Sequence, residues 1–205
     1  MTTEANPNDP TRRAIRYGEL AGYYFAYGAN MHPDQIGARC VKPEFLELAF
    51  LSGYRLDFFG LSRTWDGGME TVVEDPNGIV WGALYKLSQS DWDRLDAWQD
   101  ARIDGTGPYF HFPVRVTELD GSLRAVLIYK KDHLGAPQKP SSEFLDFIVR
   151  GAQARGLPEH YLEQLRQIPS QKATFPVPRS AQFDRGLLAS ANCLFGRGFP
   201  IVAEQ

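Results

Sequence analysis

Cysteine is scarce in this chain: Cys40 and Cys193 stand far apart, with no second thiol near either, so neither a disulfide framework nor a zinc knuckle is indicated. Reduced, partly buried thiols are expected. The histidines, His32, His111, His133 and His160, show no HxxxH or HExxH spacing, and no metal is implied. No apolar run approaches the roughly 20 residues that cross a bilayer, and the opening MTTEANPNDP is polar rather than signal-like. Lys/Arg blocks are missing too, and a net charge of −3 lacks the electrostatic footprint of a nucleic-acid binder. These absences predict a soluble, cytoplasmic protein that engages a small molecule or another protein, with no nucleic-acid and no membrane partner.

What remains is enough for one core-bearing domain, because 205 residues with 43% hydrophobic content can bury a sizeable interior. Residues 1–20 are rich in Pro, Asn, Asp and Thr and are expected to form a flexible N-terminal arm. A domain over 21–168 follows, and residues 169–205, rich in Pro, Gly, Phe and Arg, form a C-terminal extension that packs on the domain or on a partner.

Within the domain, AGYYFAYGAN is a strand-like run halted at Gly28, and a short helix enters through Pro33. PEFLELAFLSGYRLDFFG suggests two strands joined at Ser52-Gly53, and METVVEDPNGIVWGALYKL a hairpin turning at Pro76-Asn77-Gly78. Ser88 with Asp91 fits a capping box, flanked by Leu87 and Trp92 as a staple, and Trp92, Leu95 and Trp98 recur at helical spacing as a buried face. YFHFPVRVTEL and GSLRAVLIYK form a further hairpin turning at Asp120-Gly121. A helix opens at Pro140-Ser141 with Phe144, Leu145, Ile148, Val149 and Ala152 on one side and stops before Gly156; another starts near Pro158. Strands first and helices last predict an α+β fold, a small, mixed, barrel-like sheet with helices packed outside.

Three segments carry the chemistry: YFAYGANM over Tyr24 to Met31, LDAWQD over Leu95 to Asp100, and KPSSEFLDFIVRGAQARGLPEHYL over Lys139 to Leu162. Their order and spacing resemble the gamma-glutamylcyclotransferase family, which shows YGSN at a strand end, LDxxEG on a later helix, and a PSxxYL, GA, GLPxxY series. The likeness spans roughly residues 22 to 165 and includes VWGALY at Val80 to Tyr85. It implies internal attack of a gamma-glutamyl amide's α-amino group on its own γ-carbonyl, giving 5-oxoproline and an amine without a cofactor. Tyr27, Gly28, Ala29 and Asn30 are then the substrate-binding loop, with Tyr109 and Tyr129 at the positions of pocket tyrosines.

The catalytic position departs from the pattern. Gln99 stands where the family has its glutamate, and a carboxamide cannot accept a proton as a carboxylate does. Asp100 is turned about 100° away on the helix and Asp96 lies one turn earlier, where a structural role is expected. Glu70 and Glu74 are expected to be solvated surface carboxylates. The readings are therefore a gamma-glutamylcyclotransferase-like enzyme, inactivated or altered in mechanism, a non-catalytic module binding an amino-acid-like ligand, or an amide hydrolase or acyltransferase of a biosynthetic pathway.

Overall fold

A computed structural model describes residues 14–20, 22–102 and 104–179. Its centre is a closed barrel of five strands: β1 (Tyr23–Ala26), β2 (Glu44–Ser62), β3 (Gly67–Lys86), β4 (Phe110–Glu118) and β5 (Leu123–Lys130), in the order β1-β3-β2-β4-β5. Neighbours run antiparallel except at the closing seam, where β1 meets β5 in parallel with Tyr24 opposite Leu127. Helices α1 (Pro33–Arg39), α2 (Gln89–Gln99), α3 (Ser142–Arg155) and α4 (Glu159–Arg166) lie outside. The α+β, barrel-with-helices expectation is met.

Strand alternation divides the core in two. Phe25, Leu51, Val72, Val80, Leu84, Val114, Val116, Val126 and Ile128, all on strands, form one apolar cluster together with Tyr27 just past β1, the filling of the barrel. Tyr24, Met31, Ile36, Trp92, Leu95, Phe144, Ile148 and Leu165 form the other, between barrel and helices. Each fully buried aliphatic or aromatic side chain contributes about 1.5–3 kcal/mol.

The two central strands differ from the sequence expectation. β2 does not break at Ser52-Gly53, and β3 does not reverse at Pro76-Asn77-Gly78: both strands run through, paired with each other on either side of the irregularity. The pairing steps from Tyr54 opposite Glu74 to Ser52 opposite Ile79, so Gly53 (φ 81°) faces the segment Asp75 to Gly78 across a bulge. The turn-forming residues are used to kink one ribbon instead of ending it, which bends long strands around a small barrel. The actual β2–β3 reversal is at Arg63 to Asp66.

α2 starts as expected, with the Ser88 side chain accepting from Asp91 N–H. Asp91 is buried and also accepts from Val41 N–H at 2.6 Å, pinning the helix start to the loop after α1. Trp92 and Leu95 are buried, but Trp98 is 36% exposed, contrary to the helical-face expectation. It stands on a cleft wall with the Arg39 guanidinium carbon 5.3 Å from its ring centroid, so the packed stripe of α2 ends one turn early. α3 is capped by Ser141 and closed by Gly156 in the left-handed conformation (φ 79°). Gly151 lets this helix touch the turn after β1: a Cβ there would lie 2.8 Å from the His32 backbone nitrogen. Because α3 rests on that turn, it fixes where the glycine loop sits.

Residues 1–13 of the expected arm and residues 180–205 of the expected extension lie outside the described residues, as does Cys193. Tyr17–Leu20 form a 3-10 turn whose Glu19 pairs with Arg115 at 3.1 Å. From Pro169 the chain runs back over α3 and the β2–β3 turn, with Gln171 N–H donating to Pro140 O and Thr174 N–H to Asp66 Oδ2. Cys40 is buried, and that burial pushes its thiol up to about 12.

Candidate active site

β1 ends in a turn, Ala29–Met31, that is buried throughout and delivers Tyr27 to Asn30 to one end of the barrel. β3 brings Glu70 there, the last turn of α2 brings Gln99, the residue before β4 is Tyr109, and the end of β5 brings Tyr129. Tyr24, Tyr27, Gly28, Asn30, Glu70, Gln99, Tyr109 and Tyr129 line an inner chamber of about 10 Å³. Glu70, Gln99 and Tyr109 also line a cleft of about 800 Å³, whose walls include Ala29, Arg39, Trp65, Trp98 and Arg179. Chamber and cleft thus adjoin at Glu70, Gln99 and Tyr109.

Every position anticipated from sequence lines one of these two spaces: Tyr27, Gly28, Asn30, Tyr109, Tyr129 and Gln99 the chamber, Ala29 the cleft. The tyrosines are held by defined bonds. The Tyr27 hydroxyl donates to the Tyr129 carbonyl, and the Tyr129 hydroxyl donates to Asp96 Oδ1 at 2.6 Å. His111 Nε2 lies 2.7 Å from that same Asp96 oxygen. Asn30 is fixed at both ends, its amide donating to the Tyr24 hydroxyl at 2.9 Å and its carbonyl accepting from Arg39 at 2.8 Å. Burial raises the pKa values of Tyr24, Tyr27, Tyr109 and Tyr129, so all four are neutral hydroxyls at physiological pH.

Glu70 is where sequence reasoning failed. Glu74 is exposed, as expected, but Glu70 is turned into the chamber and partly buried. Its Oε1 accepts from Ala29 N–H at 3.3 Å, and the Tyr109 hydroxyl donates to its carbonyl at 2.8 Å and approaches its Oε2 at 3.4 Å. Desolvation raises its pKa above the ordinary glutamate value; the Ala29 N–H, the Arg39 charge and the Tyr109 hydroxyl oppose that rise without cancelling it. A Cβ at Gly28 would lie 2.6 Å from Glu70 Cγ, so this loop needs glycine for close approach by the carboxylate side chain. Alternation along a strand fixes that Glu70 and Thr71 point apart, not which one faces a cavity; GG immediately upstream of ME was the available hint that backbone and side chains crowd here.

The other carboxylates near Gln99 are committed elsewhere. Asp96 is held by Tyr129 and His111, the structural role expected of it, and Asp100 pairs with Arg102 at 2.8 Å. Among the described residues no cluster of three or more His, Cys, Asp or Glu side chains could hold a metal ion, and no helix is long and apolar enough to cross a membrane.

Comparison with known proteins places these features in context. The model of the AIG2-like family matches residues 79–165. The gamma-glutamylcyclotransferase of Homo sapiens is 32% identical over 161 residues, covering 75% of this chain and 82% of that protein. The Bos taurus gamma-glutamylcyclotransferase is 31% identical over 149 residues, covering 71% and 77%. A solved structure of a gamma-glutamyl cyclotransferase superposes with a TM-score of 0.70 at 28% identity, covering 82% of this chain and 98% of that one.

Proposed function

This chain belongs to the AIG2-like/gamma-glutamylcyclotransferase family, and from that premise we propose that it acts on a gamma-glutamyl amide, releasing 5-oxoproline and a free amine. The observation that carries the reading is the contact between Ala29 N–H and a carboxylate oxygen of Glu70, where chamber and cleft adjoin. A donor that holds a carboxylate oxygen can equally hold a γ-carbonyl oxygen as negative charge develops on it. Ala29 offers no hydroxyl, so this contact uses the backbone.

With the Glu70 side chain turned off the glycine loop, the neutral hydroxyls of Tyr27, Tyr109 and Tyr129 and the fixed amide of Asn30 become a polar, aromatic-walled seat for the glutamyl head. The 800 Å³ cleft gives the amine portion room outside it. Holding the α-amino group against the γ-carbonyl makes ring closure intramolecular, where orientation alone can remove about 7–11 kcal/mol of barrier. Gln99 can accept a hydrogen bond from the amino group through its carboxamide oxygen, orienting the nucleophile without deprotonating it.

A second reading draws on a specific observation: the inner chamber measures about 10 Å³ with the Glu70 side chain beside the glycine loop. That is about the space of one water centre, and it favours a module that binds an amino-acid-like ligand in the outer cleft without turnover. The two readings separate on one assay of the chain with several gamma-glutamyl amines, following amine and 5-oxoproline together. Stoichiometric release of both supports the cyclotransferase. Saturable calorimetric binding with no product supports the binding module.

A further inference from the structure

We propose that Glu70, on β3, is the proton acceptor of this chain, a carboxylate supplied by the strand wall to a chamber whose helical position holds Gln99. The inference rests on the cyclotransferase reading above and deepens it. Among the described residues, Glu70 contributes the only carboxylate that lines the chamber. Asp96 and Asp100 are bonded to Tyr129, His111 and Arg102, and Glu74 is exposed.

Three features suit Glu70 to the task. Its carboxylate shares the chamber with Gln99, so a substrate amino group oriented by the carboxamide lies within the same small volume. The Tyr109 hydroxyl anchors the residue in the chamber wall through its backbone carbonyl at 2.8 Å, while the Ala29 N–H contact at 3.3 Å is the one that substrate can take over, freeing the carboxylate. Burial raises its proton affinity, bringing a glutamate closer to the range where a base is effective near neutral pH.

The step balances without a co-reactant. The substrate α-ammonium gives one proton to Glu70, and the nitrogen lone pair attacks the γ-carbonyl carbon to form the ring C–N bond. The carbonyl π electrons move to oxygen, which takes the hydrogen bond of Ala29 N–H as Glu70 turns to the ammonium. The tetrahedral intermediate then collapses: the departing amine takes the proton held by Glu70 as the original amide C–N bond breaks, and the freed carboxylate relays the second proton of the ring nitrogen to that amine, which leaves as an ammonium ion. Glu70 leaves the cycle ionised, as it entered. Because the loop N–H bonds Glu70 before substrate arrives, substrate entry exchanges one acceptor for another at Ala29.

The test uses the full chain, its Glu70→Gln variant and a gamma-glutamyl alkylamide. With Glu70 as acceptor, the variant keeps its fold by circular dichroism and loses about 10²- to 10⁴-fold in kcat, while KM stays within about threefold, as for a removed base with retained binding. The acid limb of the wild-type kcat/KM profile disappears from whatever activity remains. A variant kcat within about threefold of wild type overturns the role of Glu70 and leaves the reaction reading intact. A wild-type chain that releases no 5-oxoproline overturns the reaction reading itself, and the proposal with it.

Discussion

The Tyr129 hydroxyl donates to Asp96 Oδ1 at 2.6 Å, tying the last strand of the barrel to the helix that carries Gln99. Asp96 therefore acts through geometry: it holds α2 and β5 at the separation that lets Gln99 and Tyr129 face one chamber. Tyr129→Phe removes that bond while keeping the ring packed between Tyr24 and His111. The expected cost is about 1–2 kcal/mol in urea unfolding, with kcat reduced more than affinity. A variant as stable as wild type contradicts the tie.

Glu70→Gln is expected to alter the pH dependence of stability in a defined direction. Burial raises the folded-state pKa of Glu70 above the ordinary value, so the native state holds the proton more tightly than the unfolded chain. Wild-type stability therefore declines as pH rises from the ordinary glutamate value through the raised one, while a glutamine at this site does not titrate. The melting temperature of the variant should exceed that of wild type by an increasing margin as pH rises, with the two converging near pH 4. An advantage that grows on acidification contradicts the enclosed carboxylate.

Gly28→Ala introduces a methyl group 2.6 Å from Glu70 Cγ. Overpacking of this kind costs about 1–3 kcal/mol, and here it also displaces the carboxylate from Ala29 N–H. Since the clash is with Glu70, the Gly28→Ala/Glu70→Ala double variant should be more stable than the sum of the two single effects predicts. A double-mutant cycle in chemical unfolding measures this coupling directly; strict additivity rules it out.

Asp91→Ala removes acceptors for Val41 N–H, Lys42 N–H and the Ser88 hydroxyl at once. A loss of about 1–3 kcal/mol is expected. Burial alone would raise the pKa of Asp91, but these donors outweigh it and hold the carboxyl below its ordinary value. Its contribution is therefore complete above the unfolded-state value, about 3.9, and is lost as pH falls through the lower folded-state value. Wild type and variant should differ in melting temperature at pH 7 and approach each other below about pH 3.

The helices were the most legible part of the chain, because caps and apolar stripes are local: Ser88, Ser141 and Gly156 mark ends of α2 and α3 where the structure has them. The strands were legible in existence but not in connection. Gly53 and Pro76-Asn77-Gly78 carry real turn chemistry, yet they face each other across one ribbon, a relationship between segments that no local pattern encodes. The glycine loop and its tyrosines could be found from the motif series. Glu70 could not, because its side of the strand is set by how β3 bends, and Trp98 was misplaced because the cleft interrupts the helix's buried stripe.

The seam between β1 and β5 governs when this molecule becomes competent. Tyr24 must find Tyr85 on one side and Leu127 on the other, so the loop that holds Gly28 is positioned only after roughly a hundred intervening residues have been ordered. A chain interrupted before β5 can retain its β2–β3 ribbon and still possess no chamber.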